Sequence, residues 1–243
     1  MADYRNQNIR VAARPTGEAV YDEGLRAYML RVYNLMAMGM AITGVAAYGT
    51  YAAAASNPAF AQLIYGSALK WVIMLAPLAL VFFLSFRIEK MSVSAAQTTF
   101  WVYAALMGVS LSSIFLVFTG ASITQTFFVT AAAFGALSLY GYTTKRDLSG
   151  MGSFLLMGLF GIIIASVVNI FLASSALQFA VSVIGVLIFS GLTAYDTQSI
   201  KETYYHQDGE VAVGRAAIIG ALRLYLDFIN LFMFLLQFLG NRE

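Results

Sequence analysis

The sequence predicts an all-α membrane protein, a seven-transmembrane-helix bundle, and three observations predict it. Apolar stretches of about 20 residues, the length at which an α-helix crosses a bilayer, recur along the chain with short polar hinges between them. The composition is 60% hydrophobic and 11% charged with a mean hydropathy of +0.77, which leaves too little charge to cover a soluble domain of 243 residues. The basic residues fall in alternate connections between the apolar stretches. Stretches of this length favour helices over the short alternating strands of an outer-membrane barrel. A net charge of +2 with scattered basic residues argues against a nucleic-acid surface. The absence of cysteine excludes disulfides and thiolate metal sites.

Taken in order, residues 1–25 are polar and mixed in charge, and they predict a cytoplasmic tail ahead of a transmembrane domain over 26–243. No apolar run precedes a small-residue cleavage site there, so no secretory signal peptide is expected. Arg26 and Arg31 are positioned to reach headgroups from the start of the first span. The hydropathy pattern predicts spans at about 29–52, 68–88, 98–119, 123–144, 151–173, 176–198 and 216–239. Pro77 lies inside the second and predicts a kink there. Glycines within spans (Gly39, Gly44, Gly49, Gly108, Gly135, Gly158, Gly161, Gly185) predict close helix approach rather than a phosphate-binding loop.

The tail carries Arg5, Arg10, Arg14, Arg26 and Arg31. The second–third connection has Arg87 and Lys90, the fourth–fifth Lys145 and Arg146, and the sixth–seventh Lys201 and Arg215. The connections around 53–67, 120–123 and 172–178 have none. This alternation predicts a cytoplasmic N-terminus and, after seven spans, Asn241-Arg-Glu on the far side.

Two aspartates stand out, because an ionised side chain near the centre of a bilayer costs about 2.5–3.5 kcal/mol on insertion scales. Asp196 lies toward the cytoplasmic end of the sixth span in Ser190-Gly-Leu-Thr-Ala-Tyr-Asp-Thr-Gln. Asp227 lies in the seventh, 12 residues past Arg215, about 18 Å along a helix axis. Arg223, Asp227, Asn230 and Phe234 share one face of the seventh helix, and Gly185, Phe189, Thr193 and Asp196 share one face of the sixth. The two stripes can face each other, although Asp196 is the shallower and the helices must tilt or stagger for the carboxyls to meet. If they meet, they titrate as one unit sharing a proton, because two like charges in low dielectric do not both ionise cheaply. Deprotonated, they offer hard oxygen ligands suited to calcium. Arg223, one turn from Asp227, and Asn230 are the candidate partners of that aspartate, and Tyr195 and Tyr225 lie close enough in sequence to orient the pair. Arg87 in Leu84-Ser-Phe-Arg-Ile-Glu-Lys is a further candidate counter-charge. His206 is expected to be a solvated loop residue, and Asn169 an interhelical hydrogen-bond partner.

These residues lie in segments that resemble the Bax inhibitor-1 family, the transmembrane Bax-inhibitor-motif proteins, in their bacterial branch. The segments are Tyr33-Asn-Leu-Met-Ala-Met-Gly, Thr43-Gly-Val-Ala-Ala-Tyr, Ala194-Tyr-Asp-Thr-Gln-Ser-Ile-Lys and Leu224-Tyr-Leu-Asp-Phe-Ile-Asn-Leu-Phe, and the last two are the most specific. The resemblance runs from about Arg26 to Gly240 and implies a fold in which the last helix is central. It also implies a pH-sensitive calcium leak of the inner (cytoplasmic) membrane, with Asp196 and Asp227 as cation ligands and Arg87 as a latch. Two departures bear on that expectation. Arg223 stands where the family has a small or neutral residue, and Ala76-Pro77 occupies a region where some members have a glutamate.

The expected cargo is therefore calcium and protons, with the bilayer as surroundings and no cofactor or catalytic residue. Two other readings stay open. One is an interaction protein that regulates another membrane protein. The other, less favoured, is an intramembrane aspartyl protease, which would need Gly-x-Gly-Asp where this chain has Leu224-Tyr-Leu-Asp227.

Overall fold

The computed structural model describes residues 17–207 and 209–241, with residues 17–22 described by their backbone alone. The remainder of the expected tail, with Arg5, Arg10 and Arg14, and the terminal Arg242 and Glu243 lie outside the described residues. Among those described there are eight α-helices: α1 Gly17–Ser56, α2 Pro58–Ala61, α3 Leu69–Arg87, α4 Val93–Leu111, α5 Gly120–Thr143, α6 Ser149–Leu172, α7 Ser175–Tyr204 and α8 Glu210–Leu239. Seven are long and apolar enough to cross a membrane, and α2 is a four-residue turn between the first two.

Local sequence explains where each helix starts. Asn57 caps α2, its Oδ1 accepting from Ala59 N (3.0 Å) and Phe60 N (3.2 Å), while Pro58 follows at a position that needs no donor. Ser92 caps α4 by accepting from Ala95 N, so that helix begins five residues before the expected 98. Thr119 caps α5 and Ser174 caps α7 in the same way. α1 begins at Gly17, well before the expected 29, because the end of the stretch expected as tail continues the helix of the span. Its 34-residue apolar portion is about 51 Å long at 1.5 Å per residue, more than the ~30 Å hydrocarbon layer, so it tilts or projects. Pro77 is buried within an uninterrupted α3.

The last helix is the centre. In its spanning window 61% of residues are buried, against 11% in α3 and in α6. α8 packs chiefly on α7, α1, α5 and α4, whereas α3 is held mainly by α4, and α6 by α7. α3 and α6 are thus the outer members of the bundle, and many of their large apolar side chains, such as Trp71, Phe86, Phe154 and Phe171, remain exposed for lipid. One core gathers Val32, Phe100, Tyr103, Leu224 and Tyr225 among α1, α4 and α8, and a second gathers Leu155, Ile188, Phe189 and Leu231 among α6, α7 and α8.

The basic connections, separated in sequence, come together at one end of this bundle. Arg215 Nε donates to Met91 O (2.8 Å), and Lys201 Nζ donates to Tyr142 O (2.9 Å). Gln198 Nε2 donates to Arg146 O (2.9 Å), and its Oε1 accepts from Leu148 N (2.8 Å). At the other end, Thr119 N donates to Asn241 O (3.2 Å), and Tyr65 OH donates to Ser112 Oγ (2.9 Å). Lys70, in the first turn of α3, lies toward this second end, its Nζ 5.4 Å from the Trp71 ring centre.

The span glycines divide. A Cβ at Gly108 would land on the Thr43 carbonyl oxygen and within 2.7 Å of Ala46 Cβ, so α4 and α1 touch there as expected. Gly44, Gly49, Gly135 and Gly161 have open space at that position, so the expectation of close approach fails for these four. Gly141 was not singled out in the sequence, yet a Cβ there would strike the Ala194 carbonyl oxygen where α5 crosses α7. Gly141→Ala is therefore expected to cost about 1–3 kcal/mol through forced separation of α5 and α7, seen as a lower melting temperature in detergent. Gly161→Ala, which meets nothing, should leave the melting temperature unchanged or raise it by its helix propensity.

Candidate functional site

The site is built by the register of α7 on α8. The Ser182 hydroxyl, donated to Gln178 O (2.9 Å), lies 3.2 Å from the Gln237 side-chain amide at one level. Phe234 fills the space beside Gly185, where a Cβ would come within 2.7 Å of its ring, and Ile200 lies 3.0 Å from a Cβ position at Gly220. These three contacts stagger the antiparallel helices so that Asp196 falls opposite the turn from Arg223 to Asp227. The stagger that the sequence left open is therefore present, and small residues facing large ones produce it.

The two carboxyls lie close enough to act on each other directly. Ionised carboxylates have only acceptors, so a hydrogen bond between the two would need a proton held between them. Asp227 is 4% exposed, and its Oδ2 has no hydrogen-bond partner. Asp196 is half-buried. The Arg223 guanidinium acts electrostatically on both, without a direct ion pair among the described residues.

Both aspartates face a cavity of about 810 Å³. The polar stripe expected on the last helix is realised, since Arg223, Asp227, Asn230 and Phe234 all line it. α7 adds Phe189, Tyr195 and Asp196, whereas Thr193 of the expected α7 stripe is buried with its hydroxyl donated to Phe189 O. The opposite walls are Leu78 and Val81 of α3 and a run of α6 from Leu156 to Ile170, about 21 Å along its axis. That α6 wall carried no signal in the sequence beyond hydrophobicity.

Arg87 is elsewhere. It is exposed at the C-terminal end of α3 and is not among the residues that line the cavity with the aspartates. The cation at the pair is Arg223, which already stands one turn from Asp227. Tyr225 does not orient the aspartates either, because two residues' offset turns it to the opposite face of α8. There its ring meets Phe100 and Tyr103 edge-on at 5.8 and 5.6 Å. Thr43 Oγ1 donates to Ala104 O (2.9 Å), so the 2.6 Å contact with Tyr225 has the tyrosine as donor. Asn169 caps the α6–α7 turn, accepting from Ser174 N, instead of bridging helices. His206 is exposed. Gln198, which ties α7 to the α5–α6 connection, was missed; its only mark in the sequence is its place two residues after Asp196. In that connection, outside the membrane, Asp147 accepts from Ser149 N (2.8 Å), and this bond holds its carboxyl below the usual carboxylate range. A lowered value makes the turn's stabilisation complete at neutral pH and lost as pH falls through it.

Among the described residues no group of three or more His, Asp or Glu side chains could hold a metal ion. A calcium ion at the pair would have two carboxyls and the Asn230 carbonyl, fewer than the six to eight oxygens it prefers, with water supplying the rest.

The family described as "Inhibitor of apoptosis-promoting Bax1" matches residues 25–243. An uncharacterized protein of Rickettsia prowazekii (strain Madrid E) is 52% identical over 225 residues, 92% of this chain and 93% of the relative. The inner membrane protein YbhL of Escherichia coli (strain K12) is 49% identical over 223 residues, 90% of this chain and 94% of the relative. An uncharacterized protein of Caulobacter vibrioides is 46% identical over 254 aligned residues, covering all of both chains.

Thr43→Val is expected to leave the buried Tyr225 hydroxyl without an acceptor, at a cost of about 1–3 kcal/mol. Thr43→Ser keeps the hydroxyl and should recover most of it in denaturant unfolding of the solubilised protein.

Proposed function

The chain belongs to the Bax inhibitor-1 family, and from that premise we propose that it is a pH-sensitive calcium leak whose gate is the Asp196–Asp227 pair. The observation that supports this reading is the close pair of carboxyls on two helices long and apolar enough to cross a membrane, on the wall of a cavity. With one proton shared the pair carries a single negative charge, which the neighbouring Arg223 offsets, and a cation entering the cavity meets little net attraction. When the arginine withdraws, the way past the pair is open to a cation. Uptake of a second proton neutralises the pair and removes the charge that holds a guanidinium nearby, so the arginine is released as pH falls and flux rises, the ion passing the neutral carboxyls without being ligated by them.

The family resemblance gives the latch to Arg87, and for Arg87 to act α3 would have to swing across the cavity. Arg223 needs no such movement. The positive-inside rule further supports a cytoplasmic location for the end that gathers Lys201, Arg215 and Arg146. The first of these connections then puts the N-terminus in the cytoplasm.

Calcium flux into liposomes containing the purified protein is expected to rise as pH falls. Asp227→Asn and Asp196→Asn should each lose that pH response, and Arg223→Gln should raise flux at neutral pH more than Arg87→Gln does. Flux and pH response unchanged in both aspartate variants would end the proposal, and a larger effect of Arg87→Gln would return the latch to α3. Because the chain has no cysteine, single cysteines introduced at Glu89 and Ser56 should label from the cytoplasmic and opposite sides respectively.

A further inference from the structure

The cavity behind the aspartate pair is not shaped for an ion alone. Its outer walls are apolar side chains of α3 and α6, and several of them, including Leu78, Val167 and Ile170, are half or more exposed. α3 is held mainly by α4 and α6 by α7, so the cleft between them opens sideways into lipid. Its volume of about 810 Å³ falls in the range of small-molecule sites, about 300–1,000 Å³.

The polar groups on its inner wall are arranged by charge. Ser166 is already engaged, its hydroxyl donated to Ile162 O (2.7 Å). Asn230 Nδ2 is donated to Leu226 O (2.8 Å), so its carbonyl oxygen is left without a donor. Asp227 Oδ2 is buried without a donor as well. Unfilled acceptors therefore converge from Asp196, Asp227 and Asn230, and one helical turn nearer the basic end stands Arg223, a cation with no direct partner. Acceptors at one level and a guanidinium about 6 Å along the axis complement a zwitterion with N–H donors at one end and an anion at the other.

We propose that this cleft binds a phospholipid with a primary ammonium headgroup, taken sideways from the bilayer. Its ammonium bonds to Asp227, Asp196 and the Asn230 carbonyl, its phosphate pairs with Arg223, and its acyl chains leave between α3 and α6. Three N–H donors answer three acceptor sites, whereas a trimethylammonium group has none to offer and favours an aromatic cage. Of the three rings that line the cavity, Phe189 and Phe234 stack on each other at 5.7 Å and 28° and Tyr195 lies with its ring against Gly152 of α6, so they form no such cage. Guanidinium recognition of phosphate is the usual strong, geometrically specific contact. The proposal stands apart from the calcium reading, since a lipid can occupy the cleft whether or not ions pass.

Native mass spectrometry of the purified, delipidated protein tests it with ethanolamine, choline and glycerol phospholipids of identical chains. The ethanolamine lipid is expected to be retained about tenfold better than the choline lipid, the worth of one charge-assisted contact. Arg223→Gln should weaken all three lipids, and Asp227→Asn should abolish the preference for ethanolamine. Leu159→Trp, on the apolar wall and outside the charged cluster, should reduce retention of every lipid, and it keeps the test decisive if Asp227→Asn fails to fold. Equal retention of ethanolamine and choline lipids by the unaltered protein overturns the proposal, as does a preference that survives Asp227→Asn or retention untouched by Leu159→Trp. Loss of calcium flux with the lipid preference intact would count against the leak reading alone.

Discussion

The structure depends on burying one acidic side chain at the centre of a membrane protein. Asp227 is 4% exposed on the helix that the others surround, where an isolated charge would cost several kcal/mol and tend to neutralise instead. The chain answers with a second carboxyl, Asp196, with which a proton can be shared, and with a guanidinium close by, not with a full ion pair. Both answers require α7 and α8 to hold one register. The small residues Gly185 and Gly220, each opposed by a large side chain, hold it.

The asymmetry of the bundle has a related cause. In water, the exposed leucines and isoleucines of α3 and α6 would drive these helices onto α8. In a bilayer, lipid tails are as apolar as those side chains, so closing the gap gains little. Helices associate where backbones approach closely or polar groups bond, as α4 and α1 do at Gly108, α5 and α7 at Gly141, and α1 and α8 through Thr43 and Tyr225. α3 and α6 have no such link to α8 that would shut the cleft, and the polar wall of the central helix remains accessible from one side.

The two ends of the bundle differ in how firmly they are tied. At the basic end, Gln198, Lys201 and Arg215 each reach a backbone group in another connection, so the α3–α4, α5–α6 and α7–α8 hinges form one bonded layer. Gln198 lies two residues from Asp196 on the same helix, so a shift of α7 that alters the carboxyl pair also pulls on the α5–α6 turn. Asp196 and the α5–α6 turn are thus tied to the same stretch of α7.

Sequence alone determined the number of spans, their approximate limits, the alternation of basic connections and the two aspartates that stand out in the spans. Each of these is a sum over neighbouring residues along one dimension: transfer free energy, charge per hinge, helical phase. Even within that reach the ends moved where a single cap decided, as at Ser92, or where the end of the expected tail continued the helix, as in α1. Only the tertiary structure decided that Arg223 rather than Arg87 stands at the pair, that Tyr225 faces away from it, and which glycines are contacts. It also decided that α6 forms a cavity wall. Those outcomes depend on which faces of distant helices meet and at what stagger, and that is settled by shape-matched packing across the whole bundle. No local stretch of sequence contains both sides of such a contact.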